Sequence, residues 1–123
     1  MMITIRTIMN VLPEKQKEVR QTLLSLIERP EDEGGCLSFG VFADIEDENA
    51  FNLISEWKSR RHLDHYMRSE RFSVLLGTTS LLRKPLNIRI FTVSTAKGME
   101  EVKAIRKKVA GRFQGNAEIG VPR

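Results

Sequence analysis

The stretch Asn49–Phe72, NAFNLISEWKSRRHLDHYMRSERF, changes its apolar period halfway, and that change limits the folds open to the chain. From Ala50 to Trp57, Phe51, Leu53 and Trp57 alternate with Asn52, Ile54 and Glu56, the two-residue period of a strand. At Lys58 the composition turns charged and the period lengthens. Leu63, Tyr66 and Met67 then share one face of a helix, with Ser59 as its N-cap. A strand therefore delivers a Trp to the mouth of a helix. Both histidines (His62, His65), the one Trp and the one Tyr fall within about ten residues here, so any chemistry is expected first at this junction.

The rest of the chain supplies partners for that unit. Met2 to Val11 reads as a first strand, with Ile3, Ile5 and Met9 on one side. Pro13 opens a helix, where a missing N–H costs nothing, and Val19, Leu23, Leu26 and Ile27 form its buried stripe. Pro30 stops it, residues 31–33 are a solvated acidic loop, and Gly34-Gly35 turn the chain. Leu37 to Ala43 is a second strand with Leu37, Phe39, Val41 and Ala43 on one face. Gly40 lies on the other face, where it admits a close neighbour. A charged hairpin loop, Asp44–Asn49, leads into the junction strand. Ser69 caps a further helical segment with Phe72, Leu75, Leu76 and Leu82 on its apolar side; Gly77 loosens its middle and Pro85 ends it. Leu86 to Val93 is the last strand. The order β-α-β-β-α-β predicts an α+β, ferredoxin-like domain: an antiparallel sheet with helices on one face.

Several strands are apolar on both sides, whereas the helices cover only one. The open side calls for a second molecule, most simply a homodimer packed sheet to sheet, with Ile5 or Ile88 as central positions to test. The domain is expected to span residues 1–94. Residues 95–123 form an extension in which Met99, Val102, Ile105 and Val109 recur at helical steps, while Gly111, Gly115, Gly120 and Pro122 mark a loose end. The net charge of +4 belongs to that extension: it holds seven basic and three acidic residues, against 13 of each elsewhere. A neutral domain argues against a nucleic-acid-binding face. The single Cys36 allows no internal disulfide, no apolar run reaches ~18 residues, and no signal pattern opens the chain, so a cytoplasmic location without a membrane span is expected.

No dinucleotide fingerprint, phosphate-binding loop, nucleophile elbow or metal-ligand cluster is present, so neither a cofactor nor a metal is expected. The spacing Glu56-Trp57-x-Ser59, Leu63 six residues after the Trp, then Ser69 and Phe72, resembles the antibiotic biosynthesis monooxygenase (ABM) family; so does Glu33-Gly34-Gly35-Cys36-Leu37-Ser38-Phe39. The resemblance covers roughly residues 1–94 and implies a dimeric α/β barrel that oxidises a quinol or polycyclic phenol with O2 and no cofactor. The family commonly places a His nine residues after the Trp. Here that position is Tyr66, and His65 falls one residue early, about 100° away on a helix. Tyr66 and His65 are the candidate catalytic residues; Trp57, Asn52 and Phe72 are the candidate substrate contacts. Two other functions fit the same residues: a non-catalytic, small-molecule-binding or stress-associated dimer, and an isomerase or lyase using Tyr66 or His65 as acid–base.

Overall fold

The computed structural model describes residues 1–27 and 34–112, the side chains of 109–112 excepted. The expected stop at Pro30, the acidic loop 31–33, the side chain of Val109 and the loose end at Gly115, Gly120 and Pro122 lie outside the described residues. The elements are β1 (Met2–Asn10), α1 (Gln16–Ile27), β2 (Cys36–Ala43), β3 (Ala50–Trp57), α2 (Arg60–Met67), α3 (Glu70–Leu76), β4 (Asn87–Val93) and α4 (Met99–Arg112). They form an antiparallel four-stranded sheet in the order β2-β3-β1-β4. With α1, α2 and α3 this is the α+β, ferredoxin-like arrangement expected from the sequence, extended by the C-terminal helix α4.

Strand alternation sorts the sheet into two unlike faces. Ile3, Ile5, Thr7 and Met9 of β1 and Phe51, Leu53, Ser55 and Trp57 of β3 are buried beneath the helices. Val19, Leu23 and Leu26 of α1, Leu63 and Tyr66 of α2, and Phe72 and Leu75 of α3 close over them. The opposite face carries Ile8, Ile54, Phe91 and Val93 among Thr4, Arg6, Asn52 and Arg89. Ile5 and Ile88 therefore point at the helices and not at the open side: they pair with each other's neighbours along β1 and β4 on the covered face.

Three local features depart from the pattern read off the sequence, and a fourth, at Gly40, follows it. A register shift between Cys36 and Ser38 bulges Leu37 out of line, leaving it 52% exposed, while Cys36, Phe39 and Val41 face the core. Gly40 lies opposite Ile54, and its close neighbour is the ring of Phe42: a Cβ there would sit 3.0 Å from it. The segment after Ser69 is not one helix. Gly77 caps α3, a 3-10 turn runs Gly77–Leu81, and the Thr78 and Thr79 hydroxyls donate to the Leu75 and Leu76 carbonyls at 2.7 Å each. Leu76 is consequently exposed. Gly111 lies within α4, not in a loose end.

The Gly34-Gly35 turn fixes how β2 meets the junction. Gly35 has φ +81°, a left-handed conformation, and its carbonyl accepts the Lys58 amide at 2.8 Å. A Cβ on Gly35 would lie 2.2 Å from the His62 ring. His62 is thus packed on the turn, with its Nδ1 2.7 Å from Ser59 Oγ. Gly35→Ala combines backbone strain with this clash, so urea denaturation should show a loss of about 2 kcal/mol or more. Adding His62→Ala should restore only the share due to the imidazole ring, because the His62 Cβ, 2.7 Å from the added methyl, remains.

Candidate functional site

The junction behaves as its sequence requires. Ser59 caps α2 by accepting the His62 amide at 3.4 Å, and Ser69 caps α3 by accepting the Phe72 amide at 3.3 Å. These two caps aim Tyr66 and Phe72 back at the end of β3. The Tyr66 ring stacks on Trp57, with centroids 4.7 Å apart and planes at 23°. Its edges meet Phe39 at 5.9 Å and Phe72 at 5.3 Å, both nearly perpendicular. Trp57 and Tyr66 are each only 1% exposed, and the Trp57 indole N–H donates to Ser55 Oγ at 2.9 Å.

The sequence reading missed Arg71. Its guanidinium is buried, lies 4.2 Å over the Phe39 ring and 5.8 Å from the Tyr66 centroid, and donates to the Leu26 carbonyl near the end of α1. A signal was present: Arg71 immediately precedes Phe72, so it lies beside the buried stripe of its helix. With Ser25, Leu26, Glu70 and Val74 it lines a cleft of about 290 Å³ between α1 and α3.

Of the five predicted site residues, the structure brings three together: Trp57, Tyr66 and Phe72. His65 is exposed, one helical step from Tyr66. Asn52 lies on the opposite face of the sheet, where its Oδ1 accepts from Arg6 Nε at 2.8 Å. Trp57, a candidate substrate contact, has one of its faces covered by Tyr66.

A larger space lies farther along the same sheet face. Arg20, Leu23, Leu24 and Ile27 of α1, with Val41, Ala43 and Phe51, line a groove of about 340 Å³. Phe39 stands between groove and cluster, two residues along β2 from Val41 and edge-on to Tyr66. Among the described residues the groove's walls are apolar and the one charged lining residue is a cation, which suits a flat, mostly apolar molecule with an anionic end. Among the described residues no three of His, Cys, Asp and Glu converge as a metal site, and no helix is long and apolar enough to cross a membrane.

A model of the family described as antibiotic biosynthesis monooxygenase matches residues 1–75. The chain belongs to that family. It is similar to a conserved protein of Methanosarcina mazei Go1, with 31% identity, a TM-score of 0.68, and coverage of 73% of this chain and 90% of that one. The fold also matches Rv0793 of Mycobacterium tuberculosis, with 17% identity, a TM-score of 0.72, and coverage of 80% and 100%. The uncharacterized protein sll1783 of Synechocystis sp. is 28% identical over 85 residues, 68% of this chain; the chain spans 58% of that relative's length.

The cluster's packing makes distinct demands on its members. Ser55→Ala leaves the buried Trp57 N–H without its acceptor and should cost about 1–3 kcal/mol, with a shift in Trp fluorescence. His65→Ala, at an exposed position, should change stability by less than about 0.5 kcal/mol.

Proposed function

We propose that this chain oxidises a quinol or polycyclic phenol with O2, using neither metal nor organic cofactor, on the helix-covered face of β2 and β3. The observation that supports this reading is an apolar groove of about 340 Å³ with Arg20 at its rim, on the same face as the buried hydroxyl-bearing Tyr66. The fused rings occupy the groove. A guanidinium near the substrate's oxygen favours its ionised form, and the phenolate passes an electron to O2. Recombination of the radical pair forms a carbon–oxygen bond, and loss of water follows. Overall a ring C–H becomes a carbonyl, one oxygen atom of O2 enters the product, and the other leaves as water with two substrate hydrogens; a phenol gives a quinone. Tyr66 is assigned a hydrogen bond, past Phe39, to the oxygen that O2 adds to the ring at the inner end. Trp57 and Phe72 hold its ring in place. His65 and Asn52 have no part in this arrangement.

A second reading, a small-molecule-binding domain without turnover, is favoured by one observation. Tyr66 occupies the face of Trp57, and neither a carboxylate nor a histidine lines the described groove. Oxygen uptake separates the two. With metal chelated and flavin absent, the protein should consume O2 in the presence of an electron-rich naphthol or quinol. Arg20→Met should move the rising limb of the pH–rate profile to higher pH, by about half a unit because Arg20 is exposed, since losing the cation raises the phenol's pKa in the site. Tyr66→Phe should lower turnover in protein that circular dichroism shows to be folded; full activity in that variant would remove the hydroxyl from the mechanism. Saturable binding with no oxygen uptake would replace the oxygenase reading by the binding one.

The same proposal includes a homodimer through the open sheet face. Ile54 sits near the middle of that face, paired with Arg6 and Gly40. Ile54→Lys should therefore shift the protein toward monomer in sedimentation at micromolar concentration and lower its thermal stability.

A further inference from the structure

Helix α4 lies beyond the residues matched by the family, and its apolar side chains are exposed among the described residues of one copy. Met99, Val102 and Ile105 are 64%, 47% and 52% exposed, and they recur at three-residue steps along one side. A 14-residue helix is marginal in water without a packed face. Its charges are placed unevenly. Arg106 falls within the apolar stripe and Lys103 and Lys107 lie along one side of it, while Glu101, on the other side, is held by Lys97 at 3.3 Å. The stripe therefore suits a surface that is apolar at its centre and acidic along one side.

The chain carries such a surface in its β2–β3 hairpin. Ile45 is 100% exposed and is surrounded by Asp44, Glu46, Asp47 and Glu48. This loop holds its own shape. The Glu46 amide donates to Asp44 Oδ1 at 2.7 Å, the Asn49 amide to Asp47 Oδ1 at 2.9 Å, and Gln16 Nε2 to the Glu48 carbonyl at 3.0 Å. One exposed Ile alone needs no explanation. An ordered acidic loop with an Ile at its tip, in a chain whose spare helix is apolar and basic, does.

The two surfaces cannot easily meet within one copy. Val93, which leads into α4, pairs with Met2, whereas the hairpin emerges beside Met9, which pairs with Phe51. Those ends of the sheet are about 24 Å apart at 3.4 Å per residue. A second copy stacked on the open face, related by a two-fold axis in the plane of the sheets and oblique to the strands, brings the Val93 corner of one sheet over the hairpin corner of the other, twice per dimer.

We propose that α4 of one copy docks its Met99–Val102–Ile105 stripe on the Ile45 hairpin of a second copy, with Lys103 and Arg106 facing Glu46 and Glu48. This rests on the dimer reading above. The test uses full-length chains carrying Cys36→Ser, one with Ile45→Cys and the other with Val102→Cys, mixed and oxidised. A disulfide between the two chains at dimer mass on a non-reducing gel is expected, several-fold weaker in 0.5 M salt. Lys103→Glu with Arg106→Glu should abolish it, and Glu46→Lys with Glu48→Lys in the partner should restore it. If sedimentation shows a dimer but no cross-link forms, the docking is wrong and the dimer stands. If sedimentation shows a monomer, both fall. A cross-link at monomer mass in a chain carrying both cysteines, persisting on dilution, overturns the docking in favour of an intrachain contact. Salt-sensitive binding of wild-type protein to anionic vesicles or DNA, lost in the Lys103→Glu/Arg106→Glu variant while no cross-link forms, overturns it in favour of an electrostatic arm.

Discussion

The stack of Tyr66 on Trp57 is the contact on which the geometry of the domain's working face depends. It joins the last residue of β3 to the last turn of α2, and through the edges of Phe39 and Phe72 it also fixes β2 and α3. Arg71 ties the same cluster to α1 through the Leu26 carbonyl. Three helices and two strands thus converge on a few rings and one guanidinium. A buried guanidinium is tolerated there because ring faces and a carbonyl replace part of its hydration. The arrangement is stiff, because aromatic side chains have few rotamers to lose and each ring is held on several sides. Stiffness at this end is what allows a groove to stay open farther along, where Leu24 and Ile27 of α1 stand off from Val41 and Ala43.

The fold was legible in the sequence because its strongest signals are periodic. The alternation in β1 and β3 is strict, and burial follows it residue by residue. Ser59 and Ser69 announced two helix starts, and both act as caps. The misreadings fall where a local bond overrides the period. Leu37 was placed on the core face because β2 was read without its bulge, which moves one residue out of register. The break at Gly77 was underestimated because the hydroxyls of Thr78 and Thr79, which take up the last carbonyls of α3, are not visible as a period.

The site was legible in part, for a related reason. Trp57, Tyr66 and Phe72 converge because each sits on the apolar side of its own element, which is a periodic property. Asn52 is expected beside them as a substrate contact, yet in a strand an even step separates neighbours of one face and an odd step divides them. Asn52 and Trp57 are an odd number apart, so the pleat alone puts Asn52 on the other side, with Arg6. Arg71 escaped notice because a charged residue beside an apolar stripe is ordinarily solvated; only the carbonyl of a neighbouring helix and two ring faces make its burial acceptable.

The two faces of the sheet divide the domain's tasks. The covered face is dry and aromatic, and its polar groups are matched at short range, as Ser55 is to the indole of Trp57. The open face mixes Ile8, Ile54, Phe91 and Val93 with Arg6, Asn52 and Arg89, and its polar side chains already bond to one another or to rings, as in the Arg6–Asn52 pair and the Arg89 guanidinium 5.1 Å from Phe91. Such a face is not a core that failed to be covered. It tolerates water in one copy, and its internal pairing reduces the cost of desolvating its charges against another. The same logic extends to α4 and the Ile45 hairpin, whose charges are of opposite sign and whose apolar centres are small. Surfaces of this kind stay soluble apart, and their complementary charges set the register in which they meet.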